Sequence, residues 1–262
     1  MTKILLVGCG KMGSAMLSGW LDQGIKASDV VVVEPSAPAL GVAVVASESE
    51  IPTDFAPDVV VLAVKPQVMA AALPPYARFG KAVFLSIAAG KPIAFFHSHL
   101  GASAAIIRAM PNTPAAVRRG ITVCCPGPNV TAEQRGLCQS LLESVGEVGW
   151  LEDEGLMDAV TAVSGSGPAY LFLLAETLAQ AGINQGLPED LAVRLARATV
   201  AGSGELLRQS SESAAQLRMN VTSPGGTTAA ALAVLMAENN GVPSLMNEAV
   251  AAATRRGKEL AT

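Results

Sequence analysis

Short apolar runs alternate with helix-length stretches through the first 150 residues. The runs lie at 4–7, 30–33, 42–45, 58–64, 81–86 and 104–110, of which 30–33 is β-branched throughout, and two more follow at 120–125 and 147–151. Such runs lack the in–out alternation of a half-exposed strand, so they read as strands buried on both faces of a largely parallel sheet. A helix-like segment at 14–23 follows the first run, and a second at 131–145 begins with Thr131 as its cap. From Glu152 the texture changes. Alanine- and leucine-rich stretches at 156–163, 168–181, 189–207, 213–219, 227–238 and 244–259 predict a second region made only of helices. The expected organisation is a doubly wound sheet domain over 1–152 and a helical domain over 153–262. No Pro/Gly/Ser linker marks the junction.

The first strand runs straight into Gly8-Cys9-Gly10-Lys11-Met12-Gly13. A G-x-G-x-x-G between a strand and a helix is the fingerprint of a Rossmann-type dinucleotide site. Gly8 permits the tight turn, Gly10 lets backbone approach a pyrophosphate, and Gly13 lets helix and strand pack closely. The helix start then offers N–H groups and partial positive charge to phosphates. Glu34 ends the second strand, 21 positions after Gly13, near the spacing at which an acidic residue meets the adenosine ribose. Ala63-Val64-Lys65-Pro66, Ile87-Ala88-Ala89-Gly90 and Met110-Pro111-Asn112-Thr113-Pro114 follow later strands, where ligands of such sheets bind.

Two glycine-rich interruptions lie in the helical region. Ser164-Gly165-Ser166-Gly167-Pro168 reads as a close-packed helix start. Ser223-Pro224-Gly225-Gly226-Thr227-Thr228 reads as a pocket for a small carboxylate. In it Ser223 is expected as N-cap, Pro224 as first helical residue, the glycine amides as unshielded donors, and the threonines as added hydroxyls.

Composition narrows the classes. The chain has 262 residues, 50% hydrophobic and 15% charged, with net charge −4. Residues 1–152 carry 11 basic and 11 acidic side chains, and residues 153–262 carry 7 and 11. No basic stripe appears, which argues against nucleic-acid or anionic-membrane binding. No apolar run reaches the roughly 18–20 residues of a membrane span. Leu6-Val7-Gly8-Cys9 resembles a lipoprotein cleavage site, but the segment before it is too short for a signal peptide. Cys9, Cys124, Cys125 and Cys138 show no C-x-x-C spacing and read as free thiols of a cytoplasmic protein. His97 and His99 have no cysteine or carboxylate cluster beside them and read as surface residues at a helix end, so no metal is expected.

A nicotinamide cofactor beside a carboxylate pocket implies hydride exchange with a small organic acid. Carbonyl reduction requires a general acid. Residues 153–262 contain no histidine, and their single lysine is Lys258 near the end. A protonated imine becomes a neutral amine on receiving hydride, so these residues favour C=N over C=O as the reducible bond.

The chain resembles the pyrroline-5-carboxylate reductases from end to end. The resemblance rests on the glycine loop, Ala63–Pro66, Ala88-Ala89-Gly90, Met110–Pro114, Asp158-Ala159-Val160-Thr161 and Ser164–Tyr170. Its most specific block is Asn220-Val221-Thr222-Ser223-Pro224-Gly225-Gly226-Thr227-Thr228. The resemblance implies reduction of 1-pyrroline-5-carboxylate to L-proline. NAD(P)H is expected on Gly8, Cys9, Gly10, Lys11, Met12 and Gly13, with Ala63, Val64, Lys65, Pro66, Ile87, Ala88 and Ala89 along its length and Asn112 near the nicotinamide. The substrate carboxylate is expected on Ser223, Gly225, Gly226, Thr227 and Thr228, with Glu154 closing that end. Thr228 is expected to orient and polarise the ring nitrogen. Family weight favours NADP(H), with Ser36 holding the 2′-phosphate; the Glu34 carboxylate favours NAD(H) as the alternative. Relatives often place an asparagine near the adenine, where this chain has Ser49 and Glu50. The resemblance also implies a homodimer with interlocked helical domains, and a decamer of five dimers. The apolar segment 229–237 independently asks for a partner chain, since a helix apolar all round must be buried all round. The competing readings are another imine or hydroxyacid dehydrogenase of similar layout, or a non-catalytic dinucleotide-binding sensor.

Overall fold

The computed structural model describes residues 2–37 and 39–261. The chain divides into two compact units, residues 1–165 with 253–262, and residues 166–252. In the first unit, β1 (Ile4–Val7), β2 (Val30–Val33), β3 (Ala43–Val45), β4 (Val59–Leu62), β5 (Val83–Ser86), β6 (Ala105–Met110), β7 (Gly120–Pro126) and β8 (Gly146–Trp150) form one sheet. Its order is β3-β2-β1-β4-β5-β6-β7-β8. Every pairing is parallel except β6 with β7. The chain returns to the sheet centre between β3 and β4, so the strand order reverses at β1, where open α/β sheets bind ligands.

The helices of this unit are α1 (Lys11–Asp22), α2 (Met69–Ala72), α3 (Ile93–Leu100), α4 (Ala132–Glu143) and α5 (Met157–Val160). Side chains alternate along each strand and feed two cores. Ile4 and Leu6 join Met16, Trp20, Leu141 and Leu142 on one face. Leu5 and Val7 join Tyr76, Phe84, Phe96 and Met157 on the other. The run β1, with no polar residue on either face, is therefore what a sheet covered twice requires. Trp20 Nε1 donates to the Leu141 carbonyl at 2.9 Å, joining α1 to α4 and satisfying the one polar atom of a fully buried ring.

α4 is capped as its sequence predicts. Thr131 Oγ1 accepts from Gln134 N, and Gln134 Oε1 accepts from Thr131 N, a reciprocal capping box. Two expectations need correction. The first helix starts at Lys11, not at residue 14, because Gly10 is its N-cap and the last four glycine-loop positions bring the chain into it. The segment expected as one helix over 156–163 is a 3-10 turn (Glu154–Leu156), then α5, then a π-helical turn (Thr161–Gly165). The histidines on α3 are tied down: His97 Nε2 pairs with the Ala104 carbonyl at 3.1 Å and His99 Nδ1 with the Phe95 carbonyl at 2.8 Å.

The second unit holds α6 (Gly167–Asn184), α7 (Glu189–Gln209), α8 (Ala214–Asn220), α9 (Thr227–Leu235) and the first half of α10 (Val242–Ala261). α6 packs on α7, where Gly182 lies against Leu187 and Ala192. Much apolar surface is left open. Leu171, Phe172, Leu173 and Leu174 are each more than half exposed, and α9 has no buried residue. No helix among the described residues is long and apolar enough to cross a membrane. No group of three or more His, Cys, Asp or Glu among them is placed to hold a metal.

Candidate active site

The parallel strands β2, β1, β4, β5 and β6 are neighbours, so their carboxyl ends share one edge. Glu34 and Ser36 follow β2, and the glycine loop follows β1. Ala63, Val64, Lys65 and Pro66 follow β4, Ile87, Ala88 and Ala89 follow β5, and Asn112 follows β6. Every residue expected to meet the cofactor thus lies along a single rim. Backbone hydrogen bonds fix its members: Gly8 N to Val33 O at 2.9 Å, Ala63 N to Val7 O at 2.8 Å, and Ile87 N to Leu62 O at 3.2 Å.

Each glycine of the loop has a distinct steric reason. Gly8 has φ +89°, which side-chain-bearing residues rarely adopt, and a Cβ there would stand 2.9 Å from the Ala63 carbonyl oxygen. A Cβ on Gly13 would stand 2.6 Å from the Gly8 oxygen, so the third glycine is required by helix–strand contact. Gly10 is different. It is exposed, and a Cβ on it would meet nothing within 4 Å. It keeps open a space that the fold does not need. α1 begins at that space with no side-chain cap, so its first-turn amides face outward unshielded. An uncapped helix start beside open glycine backbone fits a dinucleotide's pyrophosphate, and the residues present fit the group on that ground.

Glu34 is more deeply involved than its position alone suggests. Its Oε2 accepts from Cys9 N at 2.8 Å, tying the end of β2 to the glycine loop. Its Oε1 accepts from Ser36 Oγ at 3.3 Å. Burial and the Glu34 carboxylate together push the Cys9 thiol pKa up, so Cys9 stays protonated at neutral pH. Lys11 and Lys65 are exposed on the rim. Ser49 and Glu50 belong to a turn in which Ser47 Oγ and Ala46 N both bond to Glu50.

Asn112 is committed to backbone. Its Oδ1 accepts from Ile121 N at 2.9 Å and its Nδ2 donates to Ser164 O at 3.2 Å. Glu154 likewise has an internal partner. Its Oε1 accepts from Arg108 Nη1 at 3.0 Å and from Ile93 N at 2.8 Å. Arg108 is 5% exposed and escaped the sequence reading. The signal was present: it is the one charged residue in the apolar strand Ala105-Ile106-Ile107-Arg108-Ala109-Met110.

The stretch Ser223–Thr228, expected to hold the carboxylate, is built differently from expectation. Ser223 is not the N-cap and Pro224 lies outside the helix. The N-cap of α9 is Gly226, reached through a turn in which Gly225 has φ +69°. Gly226 N donates to Ser223 O at 3.0 Å, so that amide is used within the turn rather than left unshielded. The open donors are the first-turn amides of α9, whose Gly226 cap supplies no side chain. Thr227 is exposed and Thr228 half-buried at this helix start. The other glycine stretch is a packing device. A Cβ on Gly165 would stand 2.5 Å from Met110 Cε.

Residues 154–260 match the family model described as pyrroline-5-carboxylate reductase dimerisation. Residues 3–90 match the model described as NADP oxidoreductase, coenzyme F420-dependent. The pyrroline-5-carboxylate reductase of Pseudomonas aeruginosa is 40% identical over 269 residues, covering 99% of this chain and 97% of that protein. The solved pyrroline-5-carboxylate reductase of Coxiella burnetii superposes with a TM-score of 0.92 at 33% identity, covering 100% of this chain and 99% of that one. That of Plasmodium falciparum, solved with NADP bound, gives 0.85 at 31% identity over 100% and 98% of the two chains. A rim built for a dinucleotide, a helical region that leaves its apolar faces open, and relatedness along the full length together place this chain in the pyrroline-5-carboxylate reductase family.

Proposed function

We propose that this chain reduces 1-pyrroline-5-carboxylate to L-proline with NAD(P)H, the last step of proline biosynthesis. The observation that carries this reading is the Gly10 space at the uncapped start of α1, in a chain of this family. With its pyrophosphate at that space, the dinucleotide would supply a hydride from its nicotinamide to ring C5 of the imine. The chain's own residues bind and orient. Gly8, Cys9, Gly10, Lys11, Met12 and Gly13 receive the phosphates, and the loops after β4 and β5 flank them. The first-turn amides of α9, with Ser223, Gly225, Gly226 and Thr227, hold the substrate carboxylate. Glu154 keeps its second oxygen, Oε2, for substrate. Thr228 orients and polarises the ring nitrogen. A threonine hydroxyl is too weak an acid to give up its proton at neutral pH, so it is not the proton source.

The open faces of α6 and α9 are covered by a second copy of the chain, in a homodimer and in a decamer of five dimers. The free Cys9, Cys124, Cys125 and Cys138 suit the reducing cytoplasm.

The test is loss of reduced-cofactor absorbance on adding pyrroline-5-carboxylate, with proline identified as product. Cofactor binding without turnover would make the chain a sensor instead. Thr228→Ala is expected to lower kcat about tenfold to a hundredfold, the loss of one charge-assisted hydrogen bond, with dinucleotide affinity unchanged. Equal loss of both would assign Thr228 to the fold.

A further inference from the structure

We propose that Glu34 sets the choice of cofactor and makes this chain bind NADH in preference to NADPH. The inference rests on the dinucleotide site assigned above. Glu34 is held from three directions. Its backbone N donates to Val45 O at 3.0 Å, its Oε2 accepts from Cys9 N at 2.8 Å, and its Oε1 accepts from Ser36 Oγ at 3.3 Å. The carboxylate is therefore fixed beside the glycine loop at the end of β2, where the acidic residue of such folds takes the ribose hydroxyls. Swinging it away would forfeit a charge-assisted bond to Cys9 N.

A 2′-phosphate at that place would bring between one and two negative charges against a fixed carboxylate. Folds that accept the phosphate provide an arginine nearby. The segment carrying Glu34 supplies none: no Lys, Arg or His occurs from residue 27 to residue 64, while Asp29, Glu34, Glu48, Glu50, Asp54 and Asp58 all do, and Arg78, which reaches this segment, spends its Nη2 on the Glu48 carbonyl at 3.1 Å. Lys11 and Lys65 are on the same rim, but neither forms an ion pair with Glu34. Ser36 Oγ, the hydroxyl that could have received the phosphate, is turned onto Glu34.

The experiment is calorimetric or fluorescence titration of the whole protein with NADH and with NADPH, without substrate. It is run on the native chain, Glu34→Gln and Glu34→Ser, with circular dichroism to check folding. The native chain is expected to bind NADH at least tenfold more tightly. Both variants are expected to close that gap at least fivefold by gaining affinity for NADPH. Glu34→Gln keeps the shape and removes the charge, so its shift assigns the effect to charge. Equal or tighter NADPH binding by the native chain overturns the proposal, as does an unchanged ratio in both folded variants. The native ratio decides alone if a variant does not fold. Binding of neither dinucleotide would remove the underlying site as well, an outcome distinct from a reversed ratio.

Discussion

Arg108 and Glu154 form an ion pair at 3.0 Å that anchors the chain leaving the sheet to a central strand. Arg108 comes from the middle of β6, and Asp158 lies 4.0 Å from its other nitrogen. A guanidinium this deeply buried must be paired, and Glu154 supplies the closer carboxylate. Glu154→Ala leaves Arg108 with the distant Asp158 and Ile93 N with no side-chain acceptor. Removal of one partner from a buried pair costs about 3–5 kcal/mol. Glu154 is partly open to water, so the expected loss is about 2–3 kcal/mol, read from urea unfolding. A loss below about 0.5 kcal/mol would show that water replaces the carboxylate.

Asn112 ties the same segment down two turns later. Residues 108, 110 and 112 share one face of the extended chain, and each meets the segment after the sheet: Arg108 meets Glu154, Met110 meets Gly165, and Asn112 meets Ser164. Asn112→Ala removes bonds to Ile121 N and Ser164 O. The expected cost is about 1–3 kcal/mol. Hydrogen exchange is expected to accelerate over the π-helical turn Thr161–Gly165 before it does in β6. Unchanged exchange there would leave Asn112 free for the cofactor role.

These two side chains also mark where the sequence was legible and where it was not. The strands, the glycine loop and the Thr131 cap are local patterns, written by period, spacing and capping chemistry, and the structure places them as their residues predict. The start of α9 was misread because Ser223-Pro224 has the composition of a helix start, while the turn closed by Gly226 N on Ser223 O is a competing local bond of similar strength. Arg108 was passed over because a charge within an apolar run has meaning only once its partner, 46 positions away, is known. Long-range polar pairs carry no local period.

Gly10 and Gly13 separate binding from folding. Gly10→Ala puts a methyl into open space, so the unfolding free energy is expected to stay within about 0.5 kcal/mol of the native chain's, while dinucleotide affinity falls at least tenfold. Gly13→Ala drives a methyl to 2.6 Å from the Gly8 carbonyl oxygen. It is expected to destabilise the fold by about 1–3 kcal/mol, as overpacking does, and to lose binding as well. Paired denaturation and titration curves check both. If Gly10→Ala bound normally, the open space would have no ligand role.

The buried thiols predict a fall in stability in alkaline solution. Burial pushes the Cys124 pKa from 9.0 up to about 12, and it pushes Cys138 up further. Below pH 9 both states hold the proton, and the thiols' contribution is fully present. Between about pH 9 and 12 the unfolded chain ionises at Cys124 while the folded chain does not, so stability drops as pH rises through that window. Each such group adds up to about 1.4 kcal/mol per pH unit to the slope. Cys124→Ala is therefore expected to flatten the pH dependence of unfolding free energy between pH 9 and 11, even though the smaller side chain lowers stability at pH 7. Alkylation offers a second readout: Cys9, half-buried at the rim with a raised thiol pKa, is expected to react slowly in the folded protein, and Cys124 and Cys138 only on unfolding. Native-state labelling of Cys138 ahead of Cys9 would mean that α4 opens far more readily than its capping and packing imply.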